Sequence, residues 1–414
     1  MSKSRQYDLV VMGATGFTGR LIAEYLAVNY GVENDQFTWA VAGRNKSKLL
    51  KLKEHLSQFD PDAGLLPVLI AESFDRQSLD AMTSQTKVII TTAGPYLKYG
   101  ADLVASCAAN GTDYCDITGE IPFIRNSIDN HFETAQKNSC RIVHCCGFDS
   151  IPSDLGVLFL QNHAQEAYGV PCDQITLYVR STKGGFSGGT IDSMLNISSH
   201  IKANPHFKGL LGNPYALNPK DSPSGVDGSD LRSVKWDEGM KCWTSPFVMA
   251  GINTRVVRRT NALLDNRYGE DFRYREVVSF PSGAAGWLRA KVLQLGIGCF
   301  IGAIKFPPSR WLLQTIFLPK PGQGPSREKR DKGHFHIILE GKTKNDHTLS
   351  VSVTGNHDPG YAGTAQMLVE SALCIILNPG QLPDRTGVLT PAAALGDILI
   401  RRLAGKGIEF KRHE

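Results

Sequence analysis

Asp8-Leu9-Val10-Val11-Met12 runs straight into Gly13-Ala14-Thr15-Gly16-Phe17-Thr18-Gly19, and Arg20 to Val28 follows with apolar residues at Leu21, Ile22, Leu26 and Val28. The first run is short, apolar and uninterrupted, as a strand covered on both faces must be. The last has the spacing of a helix with one apolar stripe. The stretch therefore predicts strand, glycine turn, helix. In that setting Gly13 allows the tight turn, Gly16 lets a ligand approach the backbone, and Gly19 lets helix and strand pack closely. The amides from Thr15 to Thr18, backed by a helix N-terminus, then face a phosphate. The spacing is GxxGxxG, a variant of the GxGxxG dinucleotide fingerprint. The candidate contacts are Gly13, Ala14, Thr15, Gly16, Phe17, Thr18 and Gly19.

Working outward, the same alternation continues. Phe37 to Ala42 reads as a second strand, Lys46 to Phe59 as a charged helix with leucines at 49, 52 and 56, and Lys87 to Ala93 as another strand. Ala101 to Asn110 reads as a helix and Arg141 to Cys145 as a strand. Strands alternating with helices imply an α/β fold, a doubly wound parallel sheet of Rossmann type. After about residue 155 the pattern changes. Gln174 to Thr182, Thr254 to Thr260, Tyr274 to Phe280, His334 to Gly341 and Thr348 to Thr354 resemble half-exposed strands at wider spacing. They predict a second, α+β domain with a mixed or antiparallel sheet. The expected division is 1–155 for the dinucleotide domain and 156–387 for a substrate and dimerisation domain. The segment of about 388–414 is expected to pack back on the first. Asp358-Pro359 and Thr390-Pro391 each place a capping residue before a proline and open a late helix. Long loops are expected over Asn204 to Gly228 and Pro319 to Lys332. Lys183 to Thr190, with four glycines, is read as a substrate clamp or a simple turn.

The end of the second strand sets cofactor choice. An NAD site places an acid there to meet the ribose 2′-hydroxyl. This chain has Gly43-Arg44-Asn45-Lys46-Ser47-Lys48, with no acid. Arg44 and Lys48, with Asn45 between them, suit a 2′-phosphate instead, so NADP is favoured over NAD. Thr91-Thr-Ala93-Gly94-Pro95-Tyr96 ends the next strand. Ala93, Gly94 and Pro95 are expected to pass beneath the cofactor, and Tyr96 to reach the nicotinamide side. No tyrosine has a lysine four residues later, so the Tyr-x-x-x-Lys proton relay is absent. Gly-x-Ser-x-Gly, Walker and His-Glu-x-x-His motifs are absent too, so the lipase, kinase and zinc-protease readings have no support. Two acidic clusters remain, Tyr114 to Glu120 and Gly147 to Asp154. Asp149 joins Tyr96 as a candidate for positioning or proton delivery. Asp154 is read as a cap or a surface group before a catalytic one.

The composition bounds the partners. The chain has 414 residues, 42% hydrophobic and 21% charged, with a net charge of +5. That fits two globular domains and gives no reason to expect nucleic acid. The charge is concentrated. Residues 287–332 carry nine basic side chains against two acidic ones, so the rest of the chain is slightly acidic. The same segment holds an apolar run, Val292 to Ile304, too short to span a bilayer, and a second, Trp311 to Leu318. It reads either as a hairpin packed on the second domain or at a dimer interface, or as a lipid-facing lid. Nine cysteines without CxxC spacing suggest reduced thiols and no metal site. With only polar residues before the first strand, the expectation is a cytoplasmic protein, peripheral at a membrane if the segment is a lid.

Several motifs together carry a resemblance. GATGFTG, AGRN, AGPY, YCDITGE and GFDSIPSDLG resemble the saccharopine dehydrogenase-like NAD(P)-binding proteins. LPKPGQGPSREKRDKG, GNHDPGYAGTAQMLVESA and GVLTPAAALG resemble their trans-acting enoyl reductase branch, and the motifs run from Gly13 to Gly396. The resemblance implies a Rossmann domain, an α/β domain with a mixed sheet, and NAD(P)H-linked reduction. In the enoyl reductase branch it implies a lipid or polyketide C=C bond, sometimes presented by a synthase. In the saccharopine branch it implies a C–N bond of an amino acid. A protein that binds NADP without chemistry, associated with lipid, is the third alternative.

Overall fold

The computed structural model describes residues 5–184, 193, 197, 207–222, 225–305, 324 and 326–413. Seven strands form a first sheet: β1 (Tyr7–Met12), β2 (Trp39–Gly43), β3 (Val68–Ile70), β4 (Thr86–Thr91), β5 (Asp113–Asp116), β6 (Arg141–Val143) and β13 (Gly387–Leu389). Their order is β13-β6-β5-β4-β1-β2-β3, and every pairing is parallel. Six of the seven thus stand in the 3-2-1-4-5-6 order of a dinucleotide-binding sheet. The alternation along β1 shows why both faces must be covered. Leu9 and Val11 enter one apolar core, Val10 and Met12 the other, and all four are buried.

Helices α1 (Phe17–Asn29), α2 (Lys46–Leu56), α3 (Arg76–Thr83), α4 (Tyr96–Tyr99), α5 (Ala101–Asn110), α6 (Ile121–Lys137) and α7 (Ile151–Tyr168) follow in turn. Leu49, Leu52 and Leu56 are the buried stripe of α2. The second sheet joins β7 (Cys172–Lys183), β8 (Lys235–Asp237), β9 (Cys242–Pro246), β10 (Arg273–Phe280), β11 (His334–Thr343), β12 (Thr348–Gly355) and β14 (Ile408–His413). Its order is β14-β12-β11-β7-β10-β9-β8. Only β7 and β10 run parallel; the other pairs are antiparallel, so the sheet is mixed.

The remaining helices are α8 (Phe207–Gly212), α9 (Ala250–Leu263), α10 (Ala284–Lys305), α11 (Arg327–Asp331), α12 (Thr364–Leu377) and α13 (Pro391–Ala404). Helix α9 corrects one expectation, the half-exposed strand over Thr254 to Thr260. The run lies between the two sheets, where twelve of the fourteen residues of α9 are buried. Its arginines find partners all round, and burial overrides local propensity. The elements after β12 divide between the sheets. Helix α12 packs against α1 and β4, β13 pairs with β6, and β14 pairs with β12. The range 156–387 thus includes an element layered on the first sheet. The loop of residues 185–190 and the run 311–318 lie outside the described residues, as do parts of 204–228 and 319–332.

Candidate active site

A parallel sheet brings the C-terminal ends of its strands to one edge, and the residues singled out in the sequence gather there. After β1, Gly13 has φ +81°, a conformation that favours glycine. A Cβ on Gly19 would stand 2.2 Å from the Gly13 carbonyl oxygen, so that position also requires glycine. Gly16 donates its amide to Gly13 O at 3.0 Å and caps α1 without a side chain. Thr15 and Gly16 are exposed. The first-turn amides of α1 have no partner within the helix. The residues present therefore fit a pyrophosphate: an open cradle of N–H donors with no acid in the first turn. The ring of Phe17 serves another purpose. It packs edge-on against Tyr361 at 4.9 Å, and only its backbone belongs to the cradle.

The neighbouring strand ends flank this turn. Gly13 N donates to Ala42 O at 3.0 Å, which sets the end of β2 beside it. Arg44 and Lys48 are exposed there, and neither side chain has a hydrogen-bond or ion-pair partner among the described residues. Asn45 beside them is exposed too and has a local partner. Its side chain accepts the Lys48 amide at 2.9 Å and caps α2. On the other flank Thr92 N donates to Met12 O at 3.2 Å. A Cβ on Gly13 would stand 3.2 Å from the Ala93 nitrogen. Ala93, Gly94 and Pro95 thus run alongside the glycine turn, with Gly94 exposed and the Gly94–Pro95 peptide cis.

Tyr96, a candidate for positioning or proton delivery, turns its hydroxyl into the protein. It is buried, and its hydroxyl donates to Thr91 O at 3.1 Å and accepts from Ile117 N at 3.4 Å. Burial pushes the phenol well above its ordinary value. The side chain braces β4 against β5 and stacks on Phe123. Glu120 holds the same corner. Its buried carboxylate accepts the amides of Tyr96 at 2.9 Å and Leu97 at 2.8 Å, and the Ser193 hydroxyl at 2.6 Å. Asp149, beyond β6, is different. It is partly buried and makes no hydrogen bond among the described residues. Burial pushes its carboxyl up to about 6.

Residues 9–152 match the saccharopine dehydrogenase NADP binding domain. A Mycobacterium tuberculosis protein, provisionally named for trans-acting enoyl reduction, is 41% identical across 98% of this chain and 97% of its own. The trans-acting enoyl reductase of Mycobacterium bovis is 37% identical over 98% of this chain and 97% of its own. The chain belongs to the trans-acting enoyl reductase family. Among solved structures, apo saccharopine dehydrogenase (L-Glu forming) from Saccharomyces cerevisiae shares the fold. The TM-score is 0.52 at 15% identity, covering 99% of this chain and all of that one.

This enoyl reductase family member has site features that the motifs did not reveal. His144, just past β6, sets Nδ1 2.8 Å from Asp116 Oδ2, and both residues are buried. Asp116 also accepts the Tyr114 hydroxyl at 2.8 Å and the amides of Thr118 and Cys145. The pair fixes the loops after β5 and β6. Its members lie 28 residues apart, so spacing could not join them. A second missed feature comes from far along the chain. Gly324 lies hard against the Phe17 ring, and the Arg330 guanidinium stands 5.8 Å from that ring's centre. A strap from the second half thus brings positive charge to the start of α1.

Asp154 is a cap, but of a distant helix. It accepts the Ala392 amide near the start of α13 at 2.8 Å and the Thr260 hydroxyl. Burial pushes it up to about 7. The arginines of α9 are all committed internally. Arg255 pairs with Asp230, Arg258 with Asp227 at 2.8 Å, and Arg259 donates to the carbonyls of Leu217 and Val388.

Proposed function

We propose that this protein reduces the activated C=C bond of an acyl chain presented by a partner synthase, with NADPH as the preferred reductant. The observation that carries the reading is the 36–41% identity, over 98% of the chain, to proteins named for trans-acting enoyl reduction. The site is consistent with it. The amides at the N-terminus of α1 would hold the pyrophosphate, and Arg44 and Lys48 would meet the 2′-phosphate. When bound there, NADPH would supply the hydride that the β-carbon of the alkene needs. Asp149, with a carboxyl raised by its own burial, keeps a proton for the α-carbon, and its carboxylate is then reprotonated from solvent.

The C–N alternative needs cations free to grip an amino acid with several carboxylates. The arginines of α9 lie nearest in character to such a set, yet all three are engaged with aspartates or carbonyls. That favours the C=C reading. The test is NADPH oxidation with purified protein across a panel: an enoyl thioester, an imine formed from lysine and a keto acid, and a simple ketone. Turnover of the thioester alone is expected. Turnover of the imine alone would replace the proposal with a C–N oxidoreductase, and no turnover of any would leave a cofactor-binding protein.

A further inference from the structure

Among the described residues, two helical stretches are long and apolar enough to cross a membrane, and their burial separates them. The stretch Pro359–Leu377, which contains α12, is 78% buried, as a core helix is. The stretch Ala284–Ile304 of α10 is only 11% buried. One side of α10 is fastened to the second sheet. Ala290 and Ile304 are buried, the Ser245 hydroxyl donates to Ala290 O at 3.1 Å, and Val234 N donates to the Gln294 side chain at 3.1 Å. The other side carries Leu288, Val292 and Leu295, which are 57%, 62% and 65% exposed, and then exposed Cys299. Their spacing of four, three and four residues places them in one stripe. At about 100° per residue, Arg289 and Lys291 fall on the two flanks of that stripe. Trp287 is 42% exposed, and Trp236 and Trp243 pair at 5.2 Å on the hairpin beneath the helix.

We propose that α10 is a membrane-docking ridge that seats this protein on an anionic lipid surface. The helix lies along that surface and does not span it, because one face is held by β9 and β10. Its apolar stripe enters the boundary between head groups and acyl chains, and Arg289 and Lys291 reach the phosphate oxygens. Trp287, half-exposed beside the stripe, matches the head-group level that its ring favours. Charge argues for lipid over a second copy of the chain. Residues 284–305 contain three basic side chains, Arg289, Lys291 and Lys305, and no Asp or Glu. Pairing two such ridges would set cation near cation with no acid on either helix to answer it.

Cys299 supplies the probe, since the other eight cysteines are buried. The full-length protein, labelled there with a nitrobenzoxadiazole fluorophore, is mixed with phosphatidylglycerol or phosphatidylcholine vesicles. Unlabelled protein is floated in parallel, at low and high salt. A blue shift and co-flotation with phosphatidylglycerol are expected, at least tenfold weaker with phosphatidylcholine or at high salt. L288Q/L295Q should abolish both signals, and R289Q/K291Q should weaken both, with NADPH affinity unchanged in each variant. No shift and no flotation on phosphatidylglycerol overturns the proposal. So does a blue shift that appears without lipid as protein concentration rises, accompanied by a doubled mass, which would assign the ridge to a second copy.

Discussion

At the scale of single side chains, the proposed preference for NADPH rests on Arg44 and Lys48. Both stand exposed at the end of β2, where an NAD site would hold an acid. Arg44→Asp replaces a forked donor with a repelling carboxylate. Losing one charge-assisted hydrogen bond is worth about 1.5–3 kcal/mol. NADPH affinity should fall by roughly tenfold to a hundredfold by calorimetric titration, with NADH affected little. Equal affinity in both proteins would take Arg44 out of the site. Asp149 makes a second case. Its carboxyl must be protonated to donate, so enoyl reduction should decline as pH rises through about 6. Asp149→Asn should lower kcat by roughly a hundredfold and leave no such decline, with NADPH binding intact. A pH profile unchanged in the variant would make water the proton source. Tyr96 behaves oppositely. Tyr96→Phe removes the bonds to Thr91 and Ile117, so it should cost about 1 kcal/mol of stability in urea while kcat holds. A selective loss of kcat would restore it as a donor.

At the scale of elements, Glu370 ties three helices together. Its fully buried carboxylate accepts from Tyr25 on α1 at 2.9 Å and from Tyr30 just beyond it at 2.7 Å. It also pairs with Arg402 of α13 at 2.7 Å. Glu370→Gln leaves the Arg402 cation without its counter-charge. A cost of about 2 kcal/mol is expected, below that of a wholly buried pair because Arg402 keeps some contact with water. Urea unfolding measures it, and a change under about 0.5 kcal/mol would show the cluster to be slack. The sequence exposed the elements unevenly. The strand, turn and helix of β1 and α1 were legible because apolar runs and glycine spacing act within a few residues. So was the device Asp358-Pro359, whose carboxylate accepts the Tyr361 amide at 2.8 Å. β5 was missed because its four residues, Asp-Tyr-Cys-Asp, have no apolar period. β13 and β14 were missed because each gains its partner strand from hundreds or tens of residues away. Helix α9 was misread because the acids and carbonyls that solvate its arginines lie elsewhere in the chain. The glycine turn was legible as backbone geometry, but the Asp116–His144 pair and the contact of Gly324 and Arg330 with Phe17 exist only in the folded molecule.

At the scale of the whole molecule, the layer between the two sheets is joined through two buried acids whose carboxyls burial raises. Asp154 of α7 joins α9 to α13 through Thr260 and Ala392. Glu276 of β10 accepts from Tyr274 at 2.7 Å and from Asn253 at 2.9 Å, and Asn253 in turn accepts from Ser150 at the start of α7. Burial pushes both carboxyls up to about 7. In the unfolded chain the same groups ionise near their ordinary values of 3.8 and 4.5. Between those limits the folded protein holds protons that the unfolded chain has released. Unfolding then releases protons, and stability must fall as pH rises through that window, levelling off above about 7. The native layer is therefore strongest in mild acid. The urea midpoint should be higher near pH ~5 than near pH ~8. Asp154→Asn and Glu276→Gln keep an acceptor oxygen but cannot ionise, so together they should flatten that slope. A wild-type midpoint that rises across the same interval, or a slope unchanged in the double variant, would mean that these two acids are ionised in the folded state and that other groups govern the response to pH.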